Sequence, residues 1–195
     1  MEKIAQFQDT KQRILAVGES LIMSRGFSDL GLSEILGTAK VPKGSFYHYF
    51  QSKEGFGVAL LERYFADYDE RLTTLFADQA TPMRARILSY FVYWREKSAT
   101  HECHNTCLAV KLAAEVSDLS EPMRCTLAQG MGRITAQIAD AIKLAQIEGS
   151  VSAQKDAPEL AELLYSMWVG ASLVAKVKRS LLPLDLALQQ TELML

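Results

Sequence analysis

Two stretches of this chain concentrate side chains capable of chemistry. The first, "KVPKGSFYHYFQSKEGF" at residues 40–56, holds Lys40, Lys43, His48 and Lys53 among aromatic rings, with no acid before Glu54. Cations and small residues at the start of a short helix suit contact with nucleic-acid phosphates. The second is "HECHNTCLAVKLAAEVSDLSEPMR" at residues 101–124, where Cys103 and Cys107 lie four apart beside His101 and His104. Three chemistries are open there. Cys107 precedes Leu108, Ala109 and Val110 and could be a small buried hydrophobe. Thiolates with imidazoles suit zinc or copper, but the spacing matches no compact zinc motif and a fourth ligand is missing. The third is a reactive thiol: a cysteine that opens a helix gains from the helix dipole and from a neighbouring cation, attacks electrophiles and oxidises to a sulfenic acid.

The elements that must position these residues are helices. In "DTKQRILAVGESLIMSRGF", Ile14, Val17, Leu21 and Ile22 recur at helical spacing, with Asp9 or Thr10 as a cap and Gly26 as a stop. Ser33 opens the short helix "SEILGTAK". Val41 precedes Pro42 and is biased away from helix, so residues 40–42 form a tight turn. Pro42 or Lys43 starts a second short helix through Tyr49, and Ser52 caps a long one over 53–76. Further helices are predicted near 83–99, 104–115, 119–147, 157–179 and 184–194. Two short helices joined by a three-residue turn and braced by a preceding helix make a helix-turn-helix. Phe46 and Phe50 share one face of its second helix and anchor it, which leaves Lys43, Tyr47 and His48 directed elsewhere. The predicted fold is all-α, with an N-terminal three-helix DNA-binding module and a larger C-terminal helical body.

Composition agrees with an ordinary globular protein. Of 195 residues 49% are hydrophobic and 23% charged, and the net charge of -2 does not exclude a DNA partner, because phosphate contact depends on where the cations sit. Residues 1–55 carry seven Lys/Arg against six Asp/Glu, and the acid-free stretch between Ile35 and Lys53 holds three lysines. The charge is local. Three cysteines form no disulfide framework and suit a reducing compartment. The opening "MEKIAQFQDTKQR" has no signal-type apolar segment, and no apolar run is expected to span a bilayer, so the expected location is cytoplasmic.

The pattern Gly44, Ser45, Tyr47, Tyr49, Phe50, Ser52, Lys53 and Glu54 resembles the signature of the TetR family of transcriptional regulators. The resemblance implies an N-terminal domain over 1–52 that binds operator DNA through a helix-turn-helix at about 33–50. A domain over 53–195 would then bind an effector and dimerise. It places Ser33 on a phosphate and Lys43, Gly44 and Ser45 toward the groove, with Tyr47, His48 and Lys53 on phosphates or base edges. Two such heads on a two-fold homodimer meet half-sites about one helical turn apart, which implies a roughly palindromic operator.

The likeness extends past the DNA-binding module. "CLAVKLAAEVSDLSEPMR" and "LYSMWVGASLVAKVKRSLLPL" resemble the repressors of this family that sense small electrophiles and reactive chlorine species. By that resemblance Cys107 is the sensing thiol and Lys176 its partner once oxidised. Ser117 stands where such a repressor carries another cysteine, and Cys103 and Cys125 have no secure counterpart, so a mechanism needing several thiols is not implied. A relative released by a noncovalently bound small molecule is the alternative, for which Tyr90, Trp94, Tyr165, Met167 and Trp168 could line a pocket or simply pack as core. Glu62, Asp67, Asp69 and Glu70 read as the solvated face of a helix, and neither a Gly-rich phosphate loop nor a Ser-His-Asp order occurs. No enzyme activity, cofactor or metal is expected. The late helices, with small residues Gly170, Ala171, Ser172 and Ala175, are expected to supply the dimer contact.

Overall fold

The computed structural model describes residues 2–99 and 107–195, with side chains from Thr10 onward. Its described residues form nine helices and no strand: α1 (Glu2–Arg25), α2 (Leu32–Ala39), α3 (Lys43–Phe50), α4 (Lys53–Ala77), α5 (Met83–Ala99), α6 (Leu108–Val116), α7 (Glu121–Ile147), α8 (Ala157–Lys178) and α9 (Leu182–Met194). Two compact units emerge, Met1–Phe65 with Lys111–Ala128, and Ala66–Val110 with Gln129–Leu195. Neither unit is contiguous, because α4, α6 and α7 each contribute residues to both.

In the first unit, Ile14, Ile22, Ile35, Phe46, Phe56, Leu60 and Phe65 are fully buried. Gly18 is required there: a Cβ would come within 2.2 Å of the Phe56 ring. Gly26 ends α1 at φ 101°, a left-handed conformation that glycine adopts without steric cost. Helix α2 ends on Lys40, also left-handed at φ 54°, and its amide bonds back to Gly37 and Leu36 carbonyls. The chain then turns through Val41, and Pro42 precedes α3 in an extended conformation. Ser52 caps α4 as expected, accepting from the Gly55 amide at 2.9 Å.

Several boundaries differ from the sequence expectation. Helix α1 begins at Glu2, ahead of the Asp9 or Thr10 cap. The residue before α2 is Gly31, with no side-chain cap, and Ser33 is the second helical residue. Helix α7 begins at Glu121, because Ser120 caps it from outside by accepting from the Met123 amide at 3.3 Å. Residues 104–106, expected to open α6, lie outside the described residues.

The second unit is aromatic at its centre. Phe91 stacks on Trp168 at 5.0 Å, and Trp94 packs against Tyr90, Tyr165 and Trp168 with centroids 5.7 to 5.9 Å apart. Both indole N–H groups are satisfied: Trp94 donates to Ser172 Oγ at 3.0 Å and Trp168 to Thr191 Oγ1 at 2.9 Å. These aromatics are packed core, while Met167 on the same helix is half-buried. Against expectation, α8 is long and apolar enough by length and composition to cross a membrane. Its apolarity has an internal use, since Leu160, Leu164, Tyr165 and Trp168 are all buried within the unit. Asp156 caps α8 and Pro158 occupies its first turn.

Candidate functional site

Helix α3 presents one apolar and one polar face. Phe46 and Phe50 are buried, with ring centroids 5.1 Å apart, and both pack on Phe56 of α4 at 5.7 and 5.3 Å. This aromatic base fixes the helix, so its other side faces outward. Lys43, Gly44, Tyr47 and His48 are exposed there, and Ser45 is half-buried. The Lys43 ammonium lies 6.0 Å from the Tyr47 ring centre, and Tyr47 in turn meets the Phe46 ring edge-on at 5.6 Å. A Cβ on Gly44 would meet nothing within 4 Å, so this backbone is open to a bulky ligand. Ser33 is exposed in the first turn of α2, where an Arg25–Glu34 ion pair at 2.7 Å ties α1 to α2. A short helix with a free N-terminal face, a cation, hydroxyls and an open backbone can dock against a phosphate backbone and reach into a groove.

Lys53 is placed differently from the others. Its ammonium donates to the Ser28 carbonyl at 3.0 Å and sits 4.8 Å from the centre of the Phe27 ring. The side chain therefore braces the α1–α2 loop, and any phosphate contact it makes shares the ammonium with that role.

The same loop is held by two residues that sequence reasoning passed over. Glu115 of α6 accepts from the Ser28 amide at 2.6 Å and the Phe27 amide at 3.0 Å, while Lys111 donates to the Met23 carbonyl at 2.6 Å. Burial alone would push the Glu115 carboxyl up, but the Ser28 and Phe27 donors and the Lys111 ammonium outweigh it and hold it below the usual carboxylate range. The fit is close, because a Cβ on Gly26 would come 3.0 Å from the same carboxylate. The only sequence signal was a lysine and a glutamate one turn apart in the otherwise apolar "LAVKLAAEV". A second tie joins Ser120, whose hydroxyl donates to Glu54 at 2.6 Å.

In the other unit, Cys107 is half-buried and immediately precedes α6. It interacts electrostatically with the hydroxyls of Tyr68, Tyr90 and Tyr165. Tyr68 and Tyr90 hydrogen-bond to each other at 2.7 Å. Burial first, and for Tyr68 and Tyr165 the nearby Cys107 charge next, pushes these phenols up, so they stay protonated and remain donors at physiological pH. Tyr68, from "FADYDERL" of α4, was not singled out in the sequence, since nothing local distinguishes it from a helix-surface tyrosine. Lys176 is half-buried in the last turn of α8, and its ammonium makes no hydrogen bond or ion pair among the described residues. Cys103 lies outside the described residues. Cys125 is occupied: its thiol donates to Glu121 at 3.2 Å, and that hydrogen bond, with burial and the Glu121 charge, pushes the thiol up. Of the two described cysteines, Cys125 is held by Glu121 and Cys107 stands half-buried at the start of α6. Among the described residues no cluster of three metal-ligating side chains occurs.

Known proteins match this arrangement along most of the chain. The family profile "Bacterial regulatory proteins, tetR family" matches residues 14–60, and "Tetracyclin repressor-like, C-terminal domain" matches 84–191. The chain is 45% identical over 180 residues to the HTH-type transcriptional repressor NemR of Escherichia coli K12, covering 92% of this chain and 90% of that protein. It is 34% identical to the transcriptional regulator AcuR of Cereibacter sphaeroides, over 86% of this chain and 76% of that one. A crystal structure of reduced Escherichia coli NemR superposes with a TM-score of 0.86 at 44% identity, covering 95% of this chain and 96% of the other. With its helix-turn-helix on α2 and α3 and its all-helical C-terminal region, the chain belongs to the TetR family of bacterial regulatory proteins.

Proposed function

We propose that this protein is a transcriptional repressor that holds operator DNA through α3 and lets go when Cys107 is modified by a small electrophile or oxidant. The observation that carries this reading is the placement of one helix. Helix α6 starts directly after Cys107, and four and eight residues further on it uses Lys111 and Glu115 to hold the end of α1 and the loop leading to α2. A displacement of α6 at the thiol therefore pulls on the residues that carry α2, and α2 sets the position of α3. Alkylation enlarges the Cys107 side chain. Oxidation gives a sulfenic acid, for which Lys176 is the proposed partner. Similarity to NemR, a transcriptional repressor with a crystal structure of its reduced form, is consistent with this reading.

Release then needs only a shift between two states of the helices. A modification that favours the released state by a few kcal/mol moves the population from mostly bound to mostly free. Spacing between two recognition helices carries the effect, which requires a homodimer. Leu163, Gly170, Val174 and Val177 form an exposed stripe along α8, and Leu182, Leu186 and Leu193 are exposed on α9. These apolar side chains supply the dimer contact in this proposal. Ser172 and Ala175, expected on that face, instead point into the core, where Ser172 accepts from Trp94. Gel-shift titration before and after treatment with N-ethylmaleimide or hypochlorous acid tests the reading. The parent protein should bind a roughly palindromic operator and lose it on treatment, whereas Cys107→Ser should bind and stay bound.

A further inference from the structure

Three non-glycine residues among the described ones have positive φ: Lys40 at 54°, Gln51 at 57° and Arg179 at 48°. The first two bracket α3, and of these Lys40 carries a charge. Its conformation is dictated by the end of α2. The Lys40 amide donates to the Gly37 carbonyl at 3.3 Å and the Val41 amide to the Leu36 carbonyl at 3.1 Å, which closes that helix and turns the chain toward α3. Such a closure needs a left-handed residue, and glycine adopts it without a Cβ crowding the next carbonyl. A lysine there leaves the turn less stable than a glycine would, and strain of this kind persists where a residue has work outside the fold.

Nothing inside the fold accounts for the side chain. Lys40 is exposed, and among the described residues its ammonium makes no hydrogen bond, ion pair or ring contact. The acids that flank it in sequence are engaged elsewhere, Glu34 with Arg25 at 2.7 Å and Glu54 with the Ser120 hydroxyl at 2.6 Å. An uncommitted cation thus stands three residues ahead of Lys43, at the turn that leads into α3.

We infer that Lys40 is a phosphate anchor of the DNA interface: its ammonium pairs with an operator backbone phosphate at the turn between α2 and α3 and fixes how α3 enters the groove. The inference rests on α3 being the helix that holds operator DNA. Phosphate contacts carry no sequence information, but they set register and orientation on the duplex. Each neutralised phosphate also releases condensed counterions, so the contact has a signature that a merely solvated lysine lacks, a steeper fall of affinity with salt. One residue then trades fold stability for grip.

The test uses full-length protein and a duplex that the parent selects from a random-sequence library, with affinity followed by fluorescence anisotropy from about 50 to 300 mM salt. Lys40→Gly should raise the melting temperature by about 2–4 °C, because it relieves the left-handed lysine. The same variant should bind about tenfold or more weakly at the lowest salt and lower the slope of log affinity against log salt by about one per recognition helix. Lys40→Gln keeps the backbone conformation and loses the charge, so it should lower the slope equally with little change in melting temperature. Arg179→Gly is the control: it removes the same charge from the same kind of left-handed cap, at the end of α8 in the other unit, and should keep the parental slope. A parental slope in both Lys40 variants overturns the inference. An equal drop in Arg179→Gly also overturns it, by tracing the effect to net charge. So does a weaker complex with an unchanged slope in Lys40→Gly, since the turn rather than the ammonium would then matter. If the parent selects no duplex, the DNA-binding reading itself fails and takes the inference with it.

Discussion

The two units of this protein differ in where they keep their polar groups. In the first, buried phenylalanines form a base and Lys43, Tyr47 and His48 project outward from it. In the second, a half-buried thiol belongs to the same unit as a buried aromatic core of tyrosines and tryptophans. The difference follows from what each must meet. A DNA duplex is larger than the domain and heavily charged, so its contacts must stand on a convex, solvated face. A small electrophile can enter, and a partly enclosed thiol reacts only with what its surroundings admit and orient. Exposure gives grip, and enclosure gives discrimination.

The largest effect that would sharpen this contrast is removal of the aromatic base. Phe46→Ala should destabilise the protein by about 3–5 kcal/mol, the range for deleting a fully buried phenylalanine, and thermal unfolding would show it. Glu115→Gln should follow. Losing the charged acceptor for two amides costs about 2 kcal/mol in a partly exposed site. Its pH dependence has a definite sign: the amide donors and Lys111 hold the folded carboxyl below the usual carboxylate range, so the unfolded chain holds its proton more readily. The contribution is complete above the ordinary carboxylate range and is lost as the pH falls through the depressed value, so the stability gap between parent and Glu115→Gln should close on acidification. A gap that persists undiminished at low pH would show that the clasp does not depend on charge. If the relay is correct, Glu115→Gln should also be alkylated at the parental rate yet be released from the operator less completely.

Smaller and more selective effects separate the outward face from its base. Tyr47→Ala should weaken operator binding by about 1–3 kcal/mol, the worth of one good contact, with the melting temperature unchanged. Lys53→Ala should weaken binding and also lower stability by about 0.5–1.5 kcal/mol, because it loses the Ser28 carbonyl and the Phe27 ring. Equal stability losses in the two variants would mean that Tyr47 is structural after all. Cys125→Ser should change neither binding nor release, since that thiol is already committed to Glu121.

How far the sequence could be read depended on how local each feature is. The turn at residues 40–42, the α3 helix and its anchors Phe46 and Phe50 are specified within a dozen residues, by proline, by helical spacing and by aromatic pairing. Helix boundaries farther along were displaced by a few residues, as at α7, where the Ser120 side chain rather than periodicity decides the start. The thiol site is the opposite case. Tyr68, Tyr90, Cys107 and Tyr165 come from distant segments, and no spacing rule connects them. Glu115 was hidden for the same reason: its partners Phe27 and Ser28 lie 88 and 87 residues away. Lys53 was visible as a cation, but its neighbours Ser28 and Phe27 were not.

The central claim is that Cys107 governs release while α3 governs grip. Its most direct test is a gel-shift of Cys107→Ser beside the parent, with the modified residue mapped in each. Untreated, the two proteins should bind the operator equally; after treatment the parent should carry a single functional adduct at Cys107 and lose the complex, while Cys107→Ser keeps it. Release of Cys107→Ser as readily as the parent would contradict it.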